Sequence, residues 1–531
     1  MNDTSKNILL SDVQGQGFLS IFNDLSSELM PHERSLLELM EGLDYRGFDS
    51  SLRRNANVDP KDMAIIIVYS YMMGHTSSRS IERLCRRDLF IVSVLRGIPA
   101  PDHTTINRFI KRNGEQTEDI FYQVVNRLGD IGELGRETVF QDGTKIESRA
   151  GKYTFVWKGF VEKNAEKCEA RLRKLLRKAN GLGLSILCEE GLDFTSVYAE
   201  LLDVKDRIED LGLDLDAPTG RGRRLDPRVK LYRLVSEDLR KIRDYDEAIA
   251  MIGENRKSMS KTDPDATFMR MKEDAMRNGQ LKPAYNLQCA SDSNYIVGCT
   301  ISCDRTDYET CIPMMEKLDQ KLGWKYSNYC ADSGYDTVGN FNYLEKNGYT
   351  PYIKPQDWEI AKTRRYMNDI GKYQNMEYNR DEDFFVCANG RKIARVGSGV
   401  DKRSGSSYGV YRSCESCEGC PLKEKCMKTS KKESKEFQAY VEHWDLRKKA
   451  RNLLESDKGV EIRVNRSIMA EGSFAQMKGN NKLRRFSSFG MERAFTEWLL
   501  MALAVNVKHY AKRRYNYNLE DPCWYEKKPA K

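Results

Sequence analysis

The chain has 531 residues, 40% of them hydrophobic, and a formal net charge of +8 from 87 basic and 79 acidic residues. That length implies about two to four domains. The longest apolar run, Met63 to Met73, falls well short of the roughly 20 residues of a membrane span, so no membrane association is expected. The N-terminus lacks the basic-then-apolar pattern of a secretory signal, which points to a cytoplasmic chain. The modest positive excess permits a nucleic-acid partner without requiring one.

Residues 1 to about 130 read as helical. SLLELMEGLDYRGF, DPKDMAIIIVYSYMMGH, SSRSIERLCRRDLFIVSVLRG and TTINRFIKRNGEQTEDIFYQVVNRL each carry apolar residues at helical spacing. Caps at Asp59-Pro60, Ser77-Ser78 and Asp102 punctuate them. Short helices joined by tight turns suit a helix-turn-helix type module, with Arg83 or Arg86, Arg108 and Lys111 toward a DNA backbone. They suit a helical packing or dimerisation domain equally well. This N-terminal all-α domain is drawn as 1–133, with His103 as a capping or packing residue.

From Glu137 the pattern turns to strand. TVFQDGTKIE sets an aspartate and a glycine where a strand should go on burying apolar side chains. Asp-Gly is a turn signal, and that is the plain reading of Asp142. After Trp157 a charged helical stretch runs from Gly159 to about Gly279, with apolar positions such as Leu172, Leu175, Leu176, Val197, Leu201, Leu202 and Val204. It reads as a helical hairpin or short coiled coil inserted in the domain, although heptads are not sustained. Within it, Thr262-Asp263-Pro264-Asp265 reads as a helix start capped by Asp263.

Strands resume at AYNLQCASDS and YIVGCTISCD, a hairpin around Asp292-Ser293-Asn294. A helix (YETCIPMMEKLDQKLG), a strand (SNYCADSGY), a helix (VGNFNYLEKNG) and a strand (TPYIKP) follow. A hairpin succeeded by alternating helix and strand predicts a mixed sheet with helices on its faces. This is the element order of an RNase H-like domain. The predicted fold class is therefore α/β, with an RNase H-like mixed sheet built from 134–158, 281–356 and 456–515. A helical insertion (159–280), a β-rich cysteine-containing insertion (357–455) and a tail (516–531) complete the chain.

Asp332 resembles Asp142 locally, closing a short apolar strand with a glycine two residues on. Ligands in open α/β sheets lie outside the carboxyl ends of strands, yet an Asx turn or a helix cap explains a single aspartate as simply. Glu471 falls in a predicted helix over 464–478, among Met469, Ala470 and Phe474. Lys478, two turns on, is too far to pair with it, and a carboxylate in such surroundings is partly desolvated unless paired or bound to a cation. Three carboxylates from two strands and a helix suit Mg²⁺, which takes oxygen ligands and keeps waters that phosphates replace. Two such ions activate a nucleophile and stabilise the leaving oxygen of a phosphodiester.

Of the 14 cysteines most are scattered and read as small buried residues, not as a disulfide framework. RSCESCEGCPLKEKCMK places Cys414, Cys417, Cys420 and Cys426 as C-x2-C-x2-C-x5-C. Four thiolates at that spacing suit a tetrahedral structural zinc site, with an iron–sulfur cluster or no metal as alternatives. Beyond them, Lys478, Lys482, Arg484, Arg485, Arg493, Lys508, Lys512, Arg513 and Arg514 make a basic C-terminal face, either phosphate-binding or simply solvated. Lys482, Arg484 and Arg485 are placed to grip phosphates. The last long helix carries an apolar stripe through Ala494, Trp498, Met501, Ala502 and Val505, expected to pack on the sheet.

Six stretches in this order, GIPAPDHTTINRF, QDGTKIESRAGKYTFVWK, SKTDPDATFMRMKE, YNLQCASDSNYIVG, YCADSGYD and AEGSFAQMKGNNKLRRFSSFGMERAFTEWLLMALAVNVKHY, resemble a bacterial insertion-sequence transposase of the DDE type. The resemblance implies that Asp142, Asp332 and Glu471 are the catalytic triad, holding two Mg²⁺ (or Mn²⁺) ions. Lys478 matches the lysine that such transposases place seven residues after the glutamate. Related chains often set an arginine four residues before it; here that position is Ser467, and Arg466, one residue earlier, becomes the expected DNA contact. The implied reaction is cleavage at the element's ends, with water and then the 3′-hydroxyl as nucleophiles, and joining to target DNA. The implied partners are double-stranded DNA, as terminal inverted repeats and target, and a second protomer. The implied place is the bacterial cytoplasm, on the nucleoid when DNA-bound. Similar transposases also carry a cysteine-rich segment. A catalytically silent DNA-binding derivative and an RNase H-like nuclease without strand transfer are the alternatives.

Overall fold

The computed structural model describes residues 29–48, 58–187, 191–218, 225–271, 279–401, 405–428, 432–475, 477 and 483–517. Two compact units emerge, one formed by Met1–Ile146 with Asn286–Lys531 and the other by Glu147–Tyr285.

The first unit begins with α1 (Pro31–Met40), α2 (Pro60–Met72), α3 (Ser78–Cys85), α4 (Leu89–Leu95), α5 (His103–Arg112) and α6 (Gly114–Asp130). Asp59, Ser77, Asp88 and Asp102 cap α2 to α5 by accepting backbone N–H bonds. Two segments with continuous periodicity are thereby divided. Asp88 starts a new helix within one, and in the other Asn113 turns its amide onto the Phe109 carbonyl at 2.9 Å. Every residue from Met63 to Met72 is buried, so the long apolar run is a core helix. His103 does not cap; its backbone N–H and ring Nδ1 both meet Glu82. Next comes β1 (Thr138–Glu147), which passes straight through Asp142-Gly143 without turning.

The second unit contains β2 (Phe155–Trp157), α7 (Lys158–Gly181), α8 (Phe194–Glu209), α9 (Pro227–Ile252), β3 (Ser258–Ser260) and β4 (Thr267–Arg270). Three helices, not a hairpin, pack around Leu172, Leu176, Val197, Leu201, Val235 and Leu239. The helical region also ends earlier than its charge pattern suggests. Gly253, at φ 71°, terminates α9, and β3 then pairs antiparallel with β2. Asp263 caps no helix: it is buried and accepts the Tyr285 hydroxyl at 2.8 Å, and the apolar Thr267-Phe268-Met269 that follows pairs as a strand with 282–284.

Thereafter come β5 (Leu281–Asp292), β6 (Tyr295–Ser302), α10 (Cys311–Lys321), β7 (Asn328–Ala331), α11 (Val338–Lys346) and β8 (Thr350–Ile353). Ser293 and Asn294, at φ 52° and 66°, form the two-residue turn between β5 and β6. In the first unit the strands lie in the order β6-β5-β1-β7-β8. β6 is antiparallel to β5, while β1, β7 and β8 run parallel. An antiparallel hairpin edge on a parallel half is the RNase H-like arrangement. Two short helices, α12 (Trp358–Ala361) and α13 (Arg364–Met367), lead into β9 (Glu377–Asn379), β10 (Phe384–Val386), β11 (Lys392–Val400), β12 (Ser407–Ser413), α14 (Lys423–Met427) and β13 (Glu436–Ala439). These strands form a separate antiparallel sheet ordered β13-β12-β11-β10-β9. Its core is aromatic, with Phe385 among Tyr373, Tyr378, Tyr411 and Phe437.

The chain closes with α15 (Val441–Glu455), α16 (Asp457–Ala475) and α17 (Met491–Tyr515). The stripe of Ala494, Trp498, Met501, Ala502 and Val505 is buried as expected. It covers β6 but also α1, α2 and α6, so the N-terminal helices share a core with the sheet. The buried Asn506 side chain exchanges two 2.8 Å hydrogen bonds with the Ile296 backbone and ties α17 to β6.

Candidate active site

Two short apolar runs place the first pair of carboxylates. Val139 and Phe140 on β1 and Tyr329, Cys330 and Ala331 on β7 are buried, and the strands pair in parallel register with Gln141 opposite Ala331. Asp142 is the next residue of β1, and Asp332 is the first residue past the end of β7. Tertiary pairing therefore brings together two aspartates 190 residues apart (332 − 142). Asp332 also makes the Asx turn, accepting the Gly334 N–H at 2.7 Å on one oxygen. Its other oxygen faces the Arg466 guanidinium at 3.8 Å. Turn and site are thus compatible in one residue.

The glycine after Asp142 leaves room for two side chains that a Cβ would displace. A Cβ on Gly143 would stand 2.4 Å from Gln288 Nε2 and 2.8 Å from Asp307 Oδ1. At Gly334 a Cβ would lie 2.9 Å from Asp332 Oδ1 and 3.2 Å from Asp307 Oδ2. Asp307, a residue that sequence reasoning missed, therefore sits against the backbone beside both aspartates. Its Oδ1 accepts from Asn286 Nδ2 and Gln288 Nε2, each at 2.8 Å. It lies in the loop between β6 and α10, with no strand end or spacing to single it out.

Beneath the carboxylates is a buried polar layer. Gln141 donates to Gln288 Oε1 at 2.9 Å and to the Thr310 carbonyl at 3.1 Å, and accepts the Tyr329 hydroxyl at 2.9 Å. The Tyr335 hydroxyl donates to Gln288 as well. Burial, then the charges of Asp307, Asp142 and Asp332, hold the Tyr335 phenol protonated, far above its ordinary range. Burial likewise pushes the Cys330 thiol up to about 12, with Arg466 lowering it and Asp332 raising it. Each polar group is matched, which fixes the carboxylates above.

α16 packs against β7. Met469, two residues before Glu471, joins the cluster of Phe140, Cys330, Tyr352 and Ile462. Its carbonyl accepts from Ser291 Oγ at 3.4 Å. Glu471 belongs to this helix; its side chain, with Lys478 and Lys482, lies outside the described residues. Arg484 and Arg485 are exposed between buried Leu483 and Phe486. Just after them Ser487 donates from its N–H (3.0 Å) and hydroxyl (2.8 Å) to buried Glu497 of α17, and Ser488 donates there too. Arg108 is exposed on α5.

Partly exposed carboxylate oxygens beside a guanidinium are donors of the kind that hard divalent cations take. Among the described residues, no three His, Cys, Asp or Glu side chains are grouped to hold an ion as they stand. The cysteines separate: Cys417, Cys420 and Cys426 line one small cavity, whereas Cys414 is exposed just past β12.

A family model for the Transposase DDE domain matches residues 386–511. A second, for a Transposase domain (DUF772), matches residues 27–112. Both matches are to transposase models, and together they support a DDE transposase of insertion sequences. The chain matches no curated protein and no solved structure. The first match covers most of the β-rich insertion, α16 with Glu471, and most of α17; the second covers α1 to α5. Transposases bind DNA, which is consistent with a DNA partner for this chain. Among the described residues, no helix of the chain is long and apolar enough to cross a membrane.

Proposed function

We propose that this transposase cleaves DNA at the ends of its insertion sequence and joins the freed 3′-hydroxyl to target DNA, with Asp142, Asp332 and Glu471 as the catalytic carboxylates. The observation that carries this reading is the emergence of Asp142 and Asp332 side by side from parallel β1 and β7, with α16 packed on β7. When bound, two Mg²⁺ or Mn²⁺ ions would activate the attacking oxygen and stabilise the leaving one. The chain's own residues do the rest. Gln141, Gln288, Tyr329 and Tyr335 hold the strand ends rigid. Arg466 offers its guanidinium to a phosphate entering beside Asp332, and Arg484 and Arg485, with Lys478 and Lys482, line up phosphates downstream. In the same reading the helices within 1–133, Arg108 among them, contact DNA or a second protomer, since two element ends must be paired.

Cleavage and strand transfer on oligonucleotides carrying the element's own ends test the proposal. Asp142→Ala and Asp332→Ala should each reduce Mg²⁺-dependent cleavage by more than about 100-fold, beyond what losing an outer partner of a metal ligand costs. Wild-type rates from either variant refute the assignment. Cleavage without joining by the unaltered chain would favour a nuclease instead.

A further inference from the structure

The cysteine spacing selects Cys414, Cys417, Cys420 and Cys426, but the fold selects a different fourth thiol. Cys387 lies 27 residues before Cys414 (414 − 387) and directly after β10. It shares one cavity with Cys417, Cys420 and Cys426. Cys414 does not line that cavity; it is exposed, and its backbone N–H bonds the Lys392 carbonyl at 3.0 Å in continuation of the β11–β12 ladder.

We propose that Cys387, Cys417, Cys420 and Cys426 are the ligands of a structural zinc ion and that Cys414 is not one. This rests on the structural-metal reading of the cysteine segment and replaces one of its members.

Three local structures deliver the thiols. Cys387 opens a tight turn in which the Gly390 N–H bonds the Cys387 carbonyl at 2.8 Å, with Gly390 at φ 72°. Cys417 opens a second, in which the Cys420 N–H meets the Cys417 carbonyl at 3.3 Å and Gly419 takes φ 70°. Cys426 comes from α14. The surroundings suit thiolate. The Lys435 N–H points at Cys417 Sγ at 3.4 Å, and the Lys435 ammonium bonds the carbonyls of Gly371 (2.8 Å) and Cys426 (3.1 Å). That cation offsets part of the double negative charge of a Zn(Cys)4 centre, as outer partners of metal sites do. Without metal, nothing draws the four sulfurs in this cavity to bonding distance. A χ1 step between staggered wells moves each sulfur within the cavity, and one Zn²⁺ binding four thiols releases four protons.

The test uses the full chain purified under reducing conditions. Metal analysis should give about one zinc per chain. Alkylation read by mass spectrometry, with and without a zinc chelator, should show Cys387, Cys417, Cys420 and Cys426 protected until zinc is removed, and Cys414 labelled in both states. Cys414→Ser should keep its zinc, and Cys387→Ser should lose it. Chelator-sensitive protection of Cys414 with Cys387 labelled throughout would overturn this assignment and leave a zinc site standing. Absence of both metal and chelator-dependent protection would overturn the structural-metal reading as well. The alkylation experiment needs no variant, so a misfolded Cys387→Ser chain leaves the proposal refutable.

Discussion

Gly143 shows how much a single missing side chain decides at the end of β1 proposed to be catalytic. Replacing it by alanine drives a methyl into Gln288 and Asp307, the first held by a buried hydrogen bond to Gln141 and the second by part-buried ones to Asn286 and Gln288. Overpacking of this kind costs about 1–3 kcal/mol. Gly143→Ala should therefore shift the urea unfolding midpoint downward, and cleavage should fall further than the lost folded fraction explains, because Asp142 moves with its neighbour. Unfolding and cleavage measured on one preparation check both. A variant with wild-type stability and activity would show that Gln288 and Asp307 yield freely. Asp142 was legible as special from its awkward place in an apolar strand. Asp307 was not, because its role comes only from Asn286 and Gln288 reaching it across the fold.

At the scale of elements, α15 is anchored beside the proposed active site by a carboxylate four residues after Asp332. Asp336, with a side chain 0% exposed, receives Arg447 Nε and the Gln356 N–H at 2.8 Å on one oxygen, and lies 2.8 Å from His443 Nε2 on the other. Removing it strands a partly buried guanidinium. Breaking a buried pair costs about 3–5 kcal/mol, so Asp336→Ala should lower the thermal midpoint by several degrees, and a melt within a degree of wild type would show that α15 is held by its apolar face alone. Element type followed from periodicity through most of the chain, yet ends did not. The helical pattern persists past Ile252, but Gly253 and the strand-forming Ser258–Ser260 and Thr267–Arg270 end it, because pairing with β2 and with residues 282–284 outweighs local propensity.

For the molecule as a whole, buried His32 and half-buried His509 should make the first unit acid-sensitive. Burial, then Lys508, lowers His32 to about 4; burial, then Arg513 and Lys512, lowers His509 to about 4. His32 is 4% exposed, stacks between Tyr69 and Tyr517, and has no hydrogen-bond partner on either ring nitrogen. Both folded values lie below the ordinary 6.5, so below that pH the unfolded chain binds more protons than the folded one. Their contribution is full above about pH 6.5 and drains away as pH falls toward 4, by up to roughly 3 kcal/mol for His32. Unfolding followed between pH 7 and 4.5 should show this loss, and His32→Phe, which keeps the stacking, should flatten it. An unchanged slope in that variant would assign the sensitivity elsewhere.

Composition and pattern by themselves determined the succession of helices and strands, the apolar core segments, and the acidic and thiol residues worth weighing, since these depend on neighbours within a few turns. Tertiary structure alone decided which of them meet. Parallel pairing of β1 with β7 set Asp142 beside Asp332, and a turn at the end of β10 brought Cys387 to the cavity that spacing had reserved for Cys414. Spacing along a chain reports proximity only within one element. Beyond it, the register of strands and the packing of α16 and α17 choose the partners, because burial of apolar faces, not sequence distance, determines where each backbone segment comes to rest.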